Sequence, residues 1–368
     1  MRLVKLVFTV TIVNIFSLSF SAAQVAPERI LLNGKIATVD DFFSIREAVA
    51  LQGERILAVG SNEDMESLAG PDTEIVDLGG KTVIPGLIDD HNHVVRATEY
   101  WPNEARLDGV TTRAKALQIL QEKATSLAPG EWLMSLGGWS EVQFAGDRSD
   151  FTLAELDAVA PDRPAFIQSV YHHAFGNTAW FEAMGIPLVA GDGEQEGSTE
   201  FEASVLRDAN GRVTGRLNGG FPMIELALQR FPEISSEQQT DAIVTAFEYL
   251  NSIGLTTVYD PAGVGIRRES YTRLREIADN QGLTVRIFHT LGGSMPRTPQ
   301  DARDLILEIQ SSRPFQGDAF VDLIAVGEIW FAPFHWDSTL GSTEPTVDDT
   351  SWARQIMIAA AEGGWSLQ

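Results

Sequence analysis

"VIPGLIDDHNHVV" (residues 83–95) decides how this chain is read. An apolar run ends in two histidines one residue apart, in a chain with six histidines in all. Side chains alternate along a strand, so a strand running through this stretch puts Asp89, His91 and His93 on one face and Asn92 on the other. Two imidazoles at that spacing can bind one ion, with Asp89 beside them as an outer or structural group. The same letters also describe an ordinary strand end with two surface histidines, because a bare H-x-H is a weak motif.

Composition narrows the chemistry. The chain has no cysteine, which removes disulfide scaffolds, thiolate metal ligands and cysteine nucleophiles. A metal must be held by His, Asp, Glu or a modified lysine, and such donors suit zinc, manganese or iron. Acidic residues outnumber basic ones 51 to 27, for a formal net charge of −24. That field repels nucleic acid and anionic lipid, so neither is expected as a partner. With 368 residues, 44% of them hydrophobic, there is enough apolar material for one large domain or two.

The N-terminus reads as a separate object. Arg2 and Lys5 precede the uncharged run "LVFTVTIVNIFSLSF" (6–20) and the small-residue stretch "SAAQVAP" (21–27). This is the layout of a secretory signal peptide over residues 1–24, and the run is shorter than the roughly 20 residues a spanning helix needs. The expectation is a secreted or periplasmic protein with no membrane contact after cleavage.

Downstream, "RILLNGKIATVD" (29–40), "EAVALQGERILAVG" (47–60) and "TEIVDLGGKTVIPGLID" (73–89) read as short strands divided by turn signals. Taken alone they predict a small antiparallel sheet. From residue 111 the period changes. A helix over 111–130 is predicted to carry Ala114, Leu117, Leu120 and Ala124 on one face, and it ends at Pro129-Gly130. A second, over 235–254, opens with a Ser235/Gln238 capping box, carries a stripe of Ile243, Ala246, Phe247 and Leu250, and stops at Gly254. Between the helices lie "EWLMSLGG" (131–138), "PAFIQSV" (164–170), "LTTVYD" (255–260), "TVRIFHT" (284–290) and "VDLIAVGEI" (321–329). Runs apolar on both parities and separated by helices predict a parallel sheet covered on both faces. Residues 190–220 are polar and glycine-rich, and read as an insertion or lid. There is no G-x-S-x-G elbow, P-loop or dinucleotide fingerprint to support another enzyme class.

Several of these stretches together resemble a known family. "VIPGLIDDHNH" (83–93), "LDAVAPDRPAFIQSVYHHAFGNTAWFEAMGI" (156–186), "DANGRVTGRL" (208–217) and "LNSIGLTTVYDPAG" (250–263) resemble the amidohydrolase superfamily. The branch is amidohydrolase family 3, which includes N-substituted formamide deformylase-like enzymes. The resemblance implies an α/β fold, a metal-dependent hydrolase (β/α)8 barrel beside a small β-sandwich. Residues 25–84 would supply the N-terminal part of that sandwich, and residues 85–368 a partial barrel with a segment inserted at about 100–250. It also implies hydrolysis of a non-peptide C–N bond, amide or formamide, in a small-molecule substrate. The water would be activated by one or two divalent ions, with zinc the leading candidate.

By the same resemblance His91 and His93 are metal ligands. Where the superfamily commonly places a carboxylated lysine bridging two metals, this chain has "LIAVGEIWF" (323–331) with Glu328 and no lysine. A glutamate carboxylate can bridge two cations in a similar way, and an ordinary strand-end carboxylate is the other reading. His172 falls where the family has a substrate-side histidine, although it also suits a cap for a helix beginning near Asn177. His335, amid "FAPFHWD" (331–337), is read as lining a substrate pocket with its aromatic neighbours. His289 either enters the active-site face or is a core histidine.

Relatives in the family run longer and carry their remaining metal histidines and catalytic aspartate further along. This chain ends at "MIAAAEGGWSLQ" (357–368), a helix followed by the first residues of an apolar strand. The expectation is therefore a C-terminally truncated sequence, with its general-base aspartate beyond Gln368 and no hydrolysis by the chain alone. Two rivals stand beside the amidohydrolase reading. One is a non-catalytic exported binder of small molecules, or an inactive fragment, on the same fold. The other is cleavage of a C–O or C–Cl bond in the same metal site.

Overall fold

The computed structural model describes residues 26–191, 199–262, 268–280, 282–291, 296–334 and 345–368. The signal-peptide stretch, His335 and residues 192–198 of the glycine-rich segment lie outside the described residues. The chain divides into two compact units, Met1–Pro85 and Gly86–Gln368. Among the described residues, no helix is long and apolar enough to cross a membrane.

In the first unit a four-stranded sheet runs in the order Arg55–Gly60, Ala48–Gln52, Arg29–Leu32, Glu74–Asp77, and a three-stranded one in the order Ile45–Arg46, Lys35–Ala37, Thr82–Val83. The sheets are mixed where the sequence predicts antiparallel pairing. Arg29–Leu32 runs antiparallel to Ala48–Gln52 but parallel to Glu74–Asp77. Parallel neighbours need a crossover, and the short helix Asn62–Glu66 lies within it, started by a reciprocal Ser61/Asp64 capping box. Ile30, Leu32, Ala48, Ala50 and Met65 form this unit's buried core.

The second unit contains a parallel half-barrel sheet of five strands, ordered Ser366–Leu367, Val321–Val326, Arg286–Leu291, Leu255–Asp260, Leu87–Asp89. Each pairing in it is parallel. Between Leu255–Asp260 and Ser366–Leu367, successive strands are joined by the helices Arg268–Asn280, Pro299–Ser311 and Val347–Gly363. Val258, Val285, Ile287 and Val321 pack beneath Phe247, Leu274 and Ile277 of the covering helices. The sequence explains the helix ends. Ser235/Gln238, Thr298/Asp301 and Thr346/Asp349 all form capping boxes, and Gly364 (φ 76°) closes its helix in the left-handed conformation. Helix Ser236–Ser252 buries Ile243, Ala246, Phe247 and Leu250 as read, together with Ala242. Helix Arg113–Ser126 is turned from its expected face. Ala116, Leu120 and Ala124, spaced by four, are buried, and Ala114 is exposed.

Gly86 shows why the first barrel strand begins with "PG". A Cβ added there would lie 2.1 Å from Thr256 Oγ1 on the neighbouring strand. The Thr256 side chain, from its Cβ outward, fills the space a side chain at position 86 would need.

The segment between the first and second barrel strands builds its own sheet, ordered Val205–Arg207, Val213–Asn218, His173–Gly176, Ala165–Ser169, Leu133–Leu136. The sequence predicts the last two in the parallel sheet. They do pair parallel with each other, but Ala165–Ser169 is antiparallel to His173–Gly176. Both strands are almost wholly buried, and a buried strand is apolar on both parities in whichever sheet it sits.

Candidate metal centre

The barrel strand Leu87–Asp89 stops before the histidines. His91 and His93 therefore do not alternate along a strand; they sit in the turn that follows. Asp89 folds that turn, its Oδ1 accepting from the His91 amide (3.2 Å) and its Oδ2 from Asn92 Nδ2 (2.8 Å). His93 is the N-cap residue of the helix Val94–Glu99. The two imidazoles meet edge to face with ring centroids 5.4 Å apart.

Glu328 reaches them from two residues past the strand Val321–Val326. In a parallel sheet all the strand C-termini open on one rim, which brings these distant segments together. Glu328 Oε2 is 3.0 Å from His91 Nε2, and Oε1 is 3.3 Å from His93 Nε2. One ligand atom from each residue falls within 4.8 Å of the other two.

The electrostatics of the triad favour a cation. His93 Nδ1–H donates to the Ala262 carbonyl, which leaves the Nε2 lone pair facing Glu328. Desolvation holds the His93 pKa below its usual value, and the nearby Glu328 charge and the Ala262 carbonyl only partly oppose this. A neutral imidazole then presents a lone pair to a carboxylate oxygen with no proton between them. A cation held by all three groups removes that repulsion, so the donor set fits a metal ion.

Asp260 supports the arrangement, and the sequence reading gave it no role. It ends the strand Leu255–Asp260 and is fully buried. Its Oδ2 accepts from the Val95 amide (2.8 Å), while Oδ1 accepts from the Ala262 amide (3.0 Å) and the Tyr271 hydroxyl (3.4 Å). One carboxylate thus steadies the helix start behind His93 and also the residue whose carbonyl holds its ring. Burial pushes the Asp260 carboxyl up to about 7. Ala262 has φ 72°, a left-handed conformation that costs a non-glycine residue about 1–2 kcal/mol. The signal in the sequence is an acid between an apolar strand and a proline-bearing turn, "YDPAG".

A cavity of about 270 Å³ adjoins the triad and is lined by His91, His93, Arg96, Arg106, Tyr171 and the Gly137-Gly138 backbone, among others. Arg106 pairs with Asp108 (2.8 Å) and Glu104 (3.4 Å), and burial raises the Glu104 pKa.

The other described histidines lie elsewhere. His172 is exposed and does not line the cavity; its neighbour Tyr171 does. His289 is inside its strand, not at the end. Its ring stacks on Tyr271 with centroids 4.0 Å apart, and burial pushes its pKa down to about 4. His173 belongs to a second grouping with Glu141 and Asp150, whose ligand atoms also lie within 4.8 Å of one another. There His173 Nε2 is 2.9 Å from Glu141 Oε1, Ser169 Oγ donates to Glu141 Oε2 (3.0 Å), and Arg216 donates to Asp150 (2.5 Å).

This chain is similar to several known proteins. A model of the amidohydrolase family matches residues 74–368. The N-substituted formamide deformylase of Arthrobacter pascens is 29% identical over 271 residues, covering 70% of this chain and 47% of that protein. Protein LONG AFTER FAR-RED 3 of Arabidopsis thaliana is 27% identical over 239 residues, covering 65% of this chain and 39% of its own length. The chain thus spans less than half the length of these curated relatives. The crystal structure of an uncharacterized metal-dependent hydrolase from Pyrococcus horikoshii OT3 superposes with a TM-score of 0.55 at 20% identity, covering 92% of this chain and 64% of that one. At that identity the likeness is one of fold. With the family model matched from Glu74 to the last residue, over both the histidine turn and Glu328, the chain belongs to the amidohydrolase family, in its family 3 branch.

Proposed function

We propose that His91, His93 and Glu328 hold a divalent ion, zinc first among the candidates, and that the site hydrolyses the C–N bond of a small non-peptide amide. N-substituted formamides and N-acyl compounds are the substrate classes in view. The observation that carries this reading is the convergence of the three groups, with the His93 Nδ1–H engaged at the Ala262 carbonyl and Nε2 left free as a donor. Two histidines and a carboxylate, with no thiolate, suit zinc. When bound, a divalent ion supplies charge that polarises a carbonyl and acidifies a coordinated water.

The chain's own groups do the rest. His91 and His93 are the nitrogen donors. Glu328 turns one oxygen to each histidine, so it can hold one ion or reach between two. Asp260 and Ala262 fix the His93 ring, and the adjoining cavity gives a small substrate its place beside the triad. The N-terminal pattern of Arg2 and Lys5, an apolar run and small residues supports export.

The test uses the full-length protein, stripped with chelator and reloaded with zinc. The reading expects bound zinc by elemental analysis, and hydrolysis of formamide and N-acyl substrates that is lost with chelator and restored by the metal. Metal content unchanged by replacing both His91 and His93 with alanine would sink the ligand assignment. Turnover indifferent to chelator would sink the mechanism.

A further inference from the structure

Arg96 sits on the helix Val94–Glu99, three residues past His93, so the two side chains are neighbours on one side of the chain. It lines the cavity beside the triad and is only 8% exposed. Its Nη2 donates to the Leu136 carbonyl and to Gln168 Oε1, both at 3.2 Å, and its guanidinium lies over the Tyr171 ring, 5.4 Å from the centroid. All three partners are neutral. Among the described residues no carboxylate pairs with Arg96, and Nε and Nη1 donate to nothing. Glu104 acts on Arg96 only through space, without a direct contact, and is itself engaged by the Leu136 amide (2.8 Å) and Arg106 (3.4 Å). A buried cation without a directly paired counter-charge is costly, and here it stands at the edge of an open cavity.

The charge of the whole chain sharpens the point. At −24 the molecule repels anions at long range, so an anionic ligand needs a local cation to settle beside the triad. The guanidinium charge complements a carboxylate, and its uncommitted N–H groups can make a charge-assisted contact with one. The cavity, about 270 Å³, falls just under the roughly 300–1,000 Å³ usual for ligand pockets, which selects a small molecule over a polymer.

We infer that Arg96 receives a carboxylate on the substrate, and that the site takes small amides bearing that carboxylate a few bonds from the scissile carbonyl, of which N-acylated amino acids are the simplest. This rests on the amide-hydrolase reading and narrows its substrate class. Nε or Nη1 can donate to one oxygen of that carboxylate, while the Leu136 and Gln168 contacts hold Nη2 in place.

The experiment measures calorimetric binding of N-acetylglycine and its neutral twin N-acetylglycinamide to the full-length protein, both chelator-treated and zinc-loaded. The wild type should favour the acid about tenfold or more, the worth of one charge-assisted contact. Arg96→Gln should erase that preference by weakening the acid far more than the neutral compound. If Arg96→Gln weakens both ligands alike, Arg96→Lys decides: a reduced but surviving preference supports the assignment, and equal binding overturns it. It is also overturned if the wild type binds both compounds equally or neither, or if the preference survives in Arg96→Gln. Binding to chelated protein does not depend on turnover. An acid preference without hydrolysis would therefore defeat only the hydrolase reading, and hydrolysis without the preference only this one.

Discussion

The unit Gly86–Gln368 holds two clusters of histidine and carboxylate that satisfy the same geometric test for a metal site, and they differ in what balances their charge. In Glu141/Asp150/His173 the counter-charge is built in. Arg216 bonds Asp150, and His173 and Ser169 occupy the two oxygens of Glu141. Despite its desolvation, Glu141 is held below the usual carboxylate range, with the His173 hydrogen bond the leading cause. In His91/His93/Glu328 no lysine or arginine pairs with the carboxylate among the described residues, and a backbone carbonyl turns the His93 lone pair toward it. Ligand-type residues close together do not by themselves make a metal site. A cluster that lacks a cation of its own is the better candidate.

The largest expected effect breaks the comparison directly. Replacing both His91 and His93 with alanine should take bound zinc from about one equivalent to almost none, whereas Glu141→Gln with His173→Ala should leave it unchanged. Elemental analysis after dialysis decides, and equal losses in the two variants would erase the distinction.

His289, outside both clusters, shows what a histidine does when burial is the dominant influence on it. Its pKa falls from 6.5 unfolded to about 4 folded, so between those values the unfolded chain binds the extra proton. This stability contribution is present above pH 6.5 and is lost as the pH falls toward 4, by up to about 3 kcal/mol. Urea midpoints measured across that window should drop in the wild type and stay flatter in His289→Phe, which keeps a ring against Tyr271. Identical slopes would reject the assignment.

Asp260→Asn leaves the ligands themselves intact. It sets an amide NH2 against the Val95 or Ala262 N–H and loosens the support of His93. Zinc affinity, read by competition with a chromophoric chelator, should weaken about 10- to 100-fold, the usual cost of losing an outer partner of a metal ligand.

The smallest effect belongs to Arg216. Its pair with Asp150 is partly open, with side chains 26% and 45% exposed, so Arg216→Met should cost no more than about 1 kcal/mol in thermal unfolding. The same change removes the cluster's internal cation, and equilibrium dialysis should then find a second, weak zinc equivalent. Finding none would mean that more than charge balance separates the two clusters.

How far the sequence carried this picture depends on the kind of signal. His91 and His93 were legible as a pair because an apolar strand points into them, although the strand ends at Asp89 and a turn delivers the rings. Glu328 was legible because it follows an apolar run, and the family resemblance marked its position. The α/β class followed from apolar runs separated by capped helices, and the incomplete barrel from the family resemblance. Asp260 and Arg96 were not legible. One is an acid after a strand and the other an arginine on a short helix, and only the folded chain reveals that both are buried and what they touch. The inserted mixed sheet was hidden for a similar reason: hydrophobic pattern reports burial and not the identity of the neighbouring strand.

The bonds that secure His93 also set a sequence of events. The contacts of His93 with Ala262 and of Val95 with Asp260 join positions 169 and 165 residues apart. Closing a flexible loop of that length costs about 4–5 kcal/mol in its length-dependent term alone. Much of that loop folds into the inserted sheet, whose strand pairings are far more local, so forming this sheet first shortens the gap that remains. Only then does Leu87–Asp89 dock beside Leu255–Asp260, and only then can the histidine turn meet Glu328. Competence to take up an ion therefore arrives near the end of refolding, and zinc uptake in a stopped-flow experiment should trail the recovery of secondary structure.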